Sequence, residues 1–127
     1  EQMPALESGM YFDADIPVDV MQKEVGNYIK ITGASFGKDR QMSGEMTKMG
    51  VNKATGMQRL MDELKIGRED TIAFGDGPND VEMLQFAGTG VAMGNAIPAV
   101  KQYADMVTDK IDEDGLYHAF ERLHLLG

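Results

Sequence analysis

Thr71-Ile72-Ala73-Phe74-Gly75-Asp76-Gly77-Pro78-Asn79-Asp80 is a short apolar, partly β-branched run that stops at glycine and then crowds two carboxylates and an amide into one turn. A run of that length and make-up, bounded by Gly75, is the pattern of a strand buried on both faces of a parallel sheet. The strand would deliver Asp76 at its tip. Gly75 and Gly77 permit a tight or positive-φ backbone there, and Pro78 stiffens the turn. Asn79 or Asp80 is placed to cap a following helix, whose Val81, Leu84 and Ala87 share a face before Gly88 stops it.

Working outward, Met57, Leu60, Met61 and Leu64 fall at i, i+3, i+4 and i+7, one face of a helix that Gly67 should end. Downstream, Gly90–Met93 reads as a strand, Pro98–Ala104 as a helix and Met106–Thr108 as a third strand. Leu116, Ala119, Phe120 and Leu123 mark a last amphipathic helix. Strand and helix alternate from residue 53 onward, which predicts an α/β fold: a Rossmann-like parallel sheet with flanking helices. Such sheets bind ligands at the carboxyl ends of their strands, where Gly75–Asp80 lies. Before Gly50 the pattern is less regular. It offers an apolar stretch at Met10–Phe12, a helix over Val18–Val25, a strand-like Tyr28–Thr32, a loop Gly33–Gly44 and a strand around Glu45–Met49.

The 127 residues suffice for one domain, and 43% hydrophobic content supplies a core. Twelve Lys and Arg against 21 Asp and Glu give a net charge of −9. So acidic a chain lacks the basic footprint of a nucleic-acid or anionic-membrane partner. It would also repel a phosphate substrate unless a metal ion or a local Lys corrected the charge. With no cysteine, disulfides and thiolate metal sites are excluded. No apolar run reaches membrane-spanning length and no basic-then-apolar leader opens the chain, so a soluble, cytoplasmic protein is expected. The 11 methionines read as flexible core filling.

The Gly75–Asp80 turn suits Mg²⁺, which takes one or two carboxylates and fills its other positions with water and phosphate oxygens. A helix amino terminus would add positive potential for an anion. The same residues also make an ordinary capped turn, since Asp, Asn, Gly and Pro all favour turns. Lys53 lies upstream at the start of the preceding helix, an unusual place for a cation because the dipole disfavours it. Spacing alone does not carry Lys53 to the carboxyl edge of the sheet.

Several separated motifs add to this reading: Gly50-Val-Asn-Lys53-Ala, Ile72-Ala-Phe-Gly-Asp-Gly-Pro-Asn-Asp80-Val-Glu-Met-Leu84, Ala87-Gly-Thr-Gly-Val-Ala-Met-Gly-Asn-Ala96, Ala104-Asp-Met-Val-Thr108 and Glu113-Asp-Gly115. In this order, from about Gly50 to about Leu123, they resemble the carboxy-terminal part of the Cof-type haloacid dehalogenase-like phosphatases. The resemblance implies Mg²⁺-dependent hydrolysis of phosphate monoesters of small metabolites, through phosphoryl transfer to an Asp nucleophile and hydrolysis of the aspartyl-phosphate. It makes Asp76 the Mg²⁺ ligand and Asp80 a carboxylate that supports the metal, either directly or from behind its ligands. Lys53 becomes the catalytic cation that neutralises the phosphoryl oxygens, and Asn79 a phosphate-contacting amide. Gly94 and Asn95 match a signature read as structural.

The family's nucleophile element, Asp-x-Asp-Gly-Thr, has no match here. Asp13-Ala-Asp15 imitates it without the Gly-Thr, and Ile31-Thr32-Gly33 imitates the family's phosphate-holding second motif. These are read as decoys, with Glu1–Met49 as a cap-domain remnant and Gly50–Gly127 as the carboxy-terminal part of the hydrolase core. The expectation is therefore a chain with little or no turnover until a partner segment bearing the nucleophile joins it. The rivals are a non-catalytic phosphate- or metal-binding module and a self-sufficient enzyme using Asp13. Asp112, Asp114 and Glu121 mimic an EF-hand loop, but its first position would be Lys110, which cannot bind Ca²⁺. His118 and His124 have no evident ligand partner and are read as surface or core-edge residues.

Overall fold

The computed structural model describes residues 8–11, 15–33 and 42–127. The chain divides after Val51 into two compact units, Glu1–Val51 and Asn52–Gly127.

The first unit holds β1 (Ser8–Tyr11), α1 (Val18–Val25), β2 (Ile29–Gly33) and β3 (Gly44–Lys48). Its sheet is antiparallel in the order β1-β3-β2, with Met10 opposite Glu45 and Ile31 opposite Met46. Gln22 of α1 ties helix to strand: its amide nitrogen donates to the Ile29 carbonyl at 2.9 Å and its oxygen accepts from Ile31 N–H at 2.7 Å. The two predicted segments Val18–Val25 and Glu45–Met49 match α1 and β3 closely. The central place of β3, between two strands distant in sequence, had no local signal.

The second unit carries α2 (Lys53–Leu64), β4 (Ile72–Gly75), α3 (Val81–Phe86), β5 (Thr89–Ala92), α4 (Pro98–Lys101), β6 (Met106–Val107) and α5 (Gly115–Arg122). Its sheet is parallel in the order β4-β5-β6, with Ala73 opposite Gly90 and Ala92 opposite Val107. This is the expected α/β architecture. Ala73, Leu84, Ala87, Ala92, Ala96 and Val100 form the core, with Met57 and Val81 packed against it. Small side chains from β4 and β5 let the helices approach closely, and Phe74 stacks on Phe120 of α5 with ring centres 5.2 Å apart.

Three details depart from the sequence reading. First, α2 ends at Leu64 rather than Gly67, because Lys65 takes the left-handed conformation (φ 56°) and donates its N–H to the Met61 carbonyl. Second, α4 is shorter than predicted and α3 ends at Phe86, with Ala87 at its carboxyl cap. Third, the residues that the helical period groups on one face of α2 are not alike: Leu60 and Leu64 are each 59% exposed, while Met61 between them is buried. Among the described residues no helix is long and apolar enough to cross a membrane.

Candidate active site

The site is built on the turn that follows β4. Gly75 ends the strand, Asp76 follows it, Pro78–Asp80 form a single 3-10 turn, and α3 begins at Val81. Asp80 does not cap α3 with its side chain. Its carboxylate instead folds back under the turn, and the side chain is almost fully buried, 6% exposed. Asp80 Oδ2 accepts from Asp76 N–H and Gly77 N–H, both at 3.0 Å. Its Oδ1 takes the Lys53 ammonium.

Gly75 is required by this arrangement. A Cβ there would sit 2.4 Å from Asp80 Cβ, so only glycine leaves room for the buried carboxylate against the strand tip. Of the two options expected for these glycines, a tight or a positive-φ backbone, the structure takes the tight one: Gly77 has φ −108°, and neither glycine of the motif lies in the left-handed region. They serve close approach instead.

Burial by itself would raise the Asp80 pKa. The hydrogen bond from Lys53, the two backbone N–H donors of Gly77 and Asp76, and the Lys53 charge outweigh it and hold the carboxyl below its ordinary 3.8. Asp80 is thus ionised with both oxygens committed inside the protein.

Lys53 is the first residue of α2. Asn52 caps that helix, its side chain accepting from Thr55 N–H at 2.9 Å while Thr55 Oγ1 accepts from Asn52 N–H at 2.9 Å. The capping box fixes where α2 starts and so where the Lys53 side chain leaves the backbone. That side chain remains 48% exposed, and its ammonium reaches the β4 turn. An unfavourable cation in a first helical turn is offset by the buried carboxylate it meets.

Asp76 is exposed at the strand tip, the open carboxylate of the motif. Asn95, in the turn after β5, donates its side-chain amide to Asp76 Oδ2 at 3.2 Å. Asn79 is partly buried, its side-chain oxygen lying over Gly77. Lys53, Asp76, Asn79 and Asp80 therefore share one locus at the carboxyl end of the parallel sheet, with Lys53 and the Asp76 backbone joined through a single carboxylate. Sequence reasoning missed the contact of Asn95 with Asp76. A Gly-Asn pair in the loop that ends the neighbouring parallel strand was its available signal.

Asp13 lies outside the described residues, and Asp15 is exposed before α1. Thr32 lies in the antiparallel strand β2, opposite Glu45, in a different sheet from the one that carries Asp76. His118 Nδ1 lies 3.0 Å from Asp109 Oδ2, which Arg122 also meets at 2.7 Å, so this histidine helps pin α5. Among the described residues no three His, Asp or Glu side chains gather as a metal-holding group. A cavity of about 370 Å³ lined by Arg68, Gln85, Tyr103 and Asp105 lies at the amino ends of β5 and β6, away from Asp76.

Comparison with known proteins identifies the family. The model of a family described as haloacid dehalogenase-like hydrolase matches residues 10–120. The chain is 45% identical over 86 residues to the putative phosphatase YkrA of Bacillus subtilis (strain 168), covering 68% of this chain and 34% of that protein. It is 56% identical over 72 residues to the 5-amino-6-(5-phospho-D-ribitylamino)uracil phosphatase YitU of the same strain, covering 57% of this chain and 27% of that one. The solved structure of the phosphatase BT1666 from Bacteroides thetaiotaomicron superposes with a TM-score of 0.79 at 30% identity, over 94% of this chain and 42% of its own. The chain thus spans less than half the length of each of these three proteins.

Proposed function

The chain belongs to the haloacid dehalogenase-like hydrolases, and from that premise we propose that it supplies the Lys53–Asp76 part of a phosphate monoester hydrolase acting on small phosphorylated metabolites. The observation that carries this reading is the Asp80 carboxylate, which holds the Lys53 ammonium with one oxygen and the Asp76 turn with the other.

Phosphoryl transfer needs positioning and charge neutralisation more than covalent help. Lys53 has three N–H donors. One is spent on Asp80, which leaves two for the phosphoryl oxygens and the nucleophile's carboxylate. Asp80 acts as a positioning residue, because both of its oxygens are engaged within the protein; of the two aspartates, Asp76 is the direct metal ligand. Asn79 offers its amide to a phosphate oxygen. Since α3 is a six-residue helix, charge neutralisation falls to Lys53 and the metal rather than to a helix dipole.

Mg²⁺ fits this donor set as a partly protein-held ion, because it accepts one or two carboxylates and keeps water and phosphate oxygens in its remaining positions. Asp76 would hold it here, and the ion would offset negative charge on the transferring group. The nucleophile comes, in this reading, from a segment outside these 127 residues. Its carboxylate oxygen attacks phosphorus while the ester P–O bond breaks, and the departing alkoxide oxygen takes a proton from water to leave as the alcohol. Water then attacks phosphorus, releasing inorganic phosphate and restoring the carboxylate. Support for such a segment lies in β4, whose outer edge has no partner among the described strands, and in Leu60, Leu64 and Ile66, exposed by 59%, 59% and 41%. The antiparallel unit ending at Val51 fits the tail of a cap domain that selects the substrate.

Turnover of p-nitrophenyl phosphate tests the proposal. The protein completed with its nucleophile segment should hydrolyse the ester in Mg²⁺, and Asp76→Asn or Lys53→Ala should each cost about 10²–10³-fold in kcat, as loss of one preorganised charge does. Phosphate and Mg²⁺ binding without turnover in the completed protein would favour the non-catalytic module instead.

A further inference from the structure

We propose that Asn95 dictates which oxygen of Asp76 meets the metal and thereby tunes the site toward Mg²⁺ over Ca²⁺, an inference that rests on the reading of Asp76 as a metal ligand. Asn95 sits in a turn closed by Ala96 N–H donating to the Met93 carbonyl at 2.9 Å. Both flanks of that turn are anchored. Met93 N–H donates to the Gly75 carbonyl at 2.9 Å, one residue before Asp76, and Gly94 N–H donates to the Asp109 carbonyl at 3.0 Å. A Cβ on Gly94 would lie 2.7 Å from the Asp109 carbonyl carbon and from Lys110 N, so the turn can press this close only with glycine there.

The side chain then bridges the two flanks. Its oxygen accepts from Ile111 N–H at 3.1 Å and its nitrogen donates to Asp76 Oδ2 at 3.2 Å. The amide cannot be reversed, because that would set its NH₂ against the Ile111 N–H and its oxygen against a carboxylate. Ile111 therefore aims Asn95, and Asn95 occupies Oδ2. A carboxylate with a donor fixed on one oxygen is biased toward binding a cation through the other alone. Mg²⁺ uses single oxygens in a strict octahedron at about 2.0–2.1 Å, whereas Ca²⁺ accepts both oxygens of one carboxylate at about 2.3–2.6 Å. Removing the Asn95 donor frees Oδ2 and relaxes the preference.

The test titrates the full chain with MgCl₂ and separately with CaCl₂, reading affinity from the Asp76 and Gly77 amide resonances in ¹H–¹⁵N spectra. Asn95→Ala should weaken Mg²⁺ about 10-fold, the usual cost of losing a partner that orients a metal ligand. Ca²⁺ should weaken far less, so the Mg²⁺:Ca²⁺ affinity ratio falls by about an order of magnitude. Asn95→Asp, which keeps the acceptor for Ile111 but has no donor for Asp76, should move the ratio the same way and carries the test if the alanine variant does not fold. A purely structural role would weaken both ions together, and a parallel loss or an unchanged ratio overturns the proposal. Asp76→Ala should abolish binding of both ions; retained binding would overturn the metal assignment and the Asn95 proposal with it.

Discussion

Replacing Asp80 separates two jobs that one carboxylate performs. Asp80→Ala removes the acceptor for the buried Gly77 N–H, for the partly buried Asp76 N–H and for the half-exposed Lys53 ammonium. An orphaned buried N–H costs about 1–3 kcal/mol. The Asp76 N–H recovers part of its loss from water, and an ion pair with one solvent-exposed partner is worth no more than about 1 kcal/mol. The expected loss is about 3 kcal/mol, a large fraction of the 5–15 kcal/mol typical of a folded domain. Asp80→Asn keeps a side-chain oxygen for the two turn donors and turns an NH₂ toward Lys53, which can swing into solvent. Its cost should be about 1 kcal/mol, the net worth of one exchanged hydrogen bond. Urea unfolding followed by circular dichroism measures both, read at constant m. If alanine and asparagine cost the same, or alanine costs less than about 1 kcal/mol, the carboxylate does not hold the turn.

Other outcomes follow from the same contacts. Because its folded pKa is depressed, Asp80 adds stability that is complete above its ordinary 3.8 and disappears as pH falls through the lower folded value. Wild type should therefore lose more stability than Asp80→Asn in urea titrations below about pH 5, and equal slopes would contradict the assignment. Gly75→Ala, whose methyl would collide with Asp80 Cβ, should cost about 1–3 kcal/mol by overpacking, checked by thermal unfolding. Asp13→Asn should leave turnover of p-nitrophenyl phosphate by the completed protein unchanged; its loss would revive the self-sufficient reading.

Much of the second unit was legible because its periodicities are local. The apolar run before Gly75 and the spaced apolar residues of α5 each name their own element. What escaped depends on contacts between distant residues. The place of β3 between β1 and β2 is set by pairing across the chain, which composition does not encode. Leu60 and Leu64 satisfy the helical period yet are exposed, because period gives a face and not the neighbour that covers it. At the site, the resemblance makes Asp76 the metal ligand and leaves open whether Asp80 meets the metal or only supports it. Their difference arises from direction: Asp80 turns inward into the space left by Gly75, and Asp76 stays at the rim. Lys53 could not be placed by counting residues. The capping box at Asn52 and the reach of its side chain to Asp80 are three-dimensional facts.

Convergence of Lys53 and Asp76 on one anion is tested most directly by a crystal structure of the completed protein with Mg²⁺ and a phosphate analogue such as tungstate or beryllofluoride. The Lys53 ammonium should donate to an oxygen or fluorine of the analogue while still bonded to Asp80, and one Asp76 oxygen should ligate Mg²⁺ at about 2.0–2.1 Å. An analogue seated out of reach of Lys53, or a metal ion that leaves Asp76 untouched, would contradict the shared pocket.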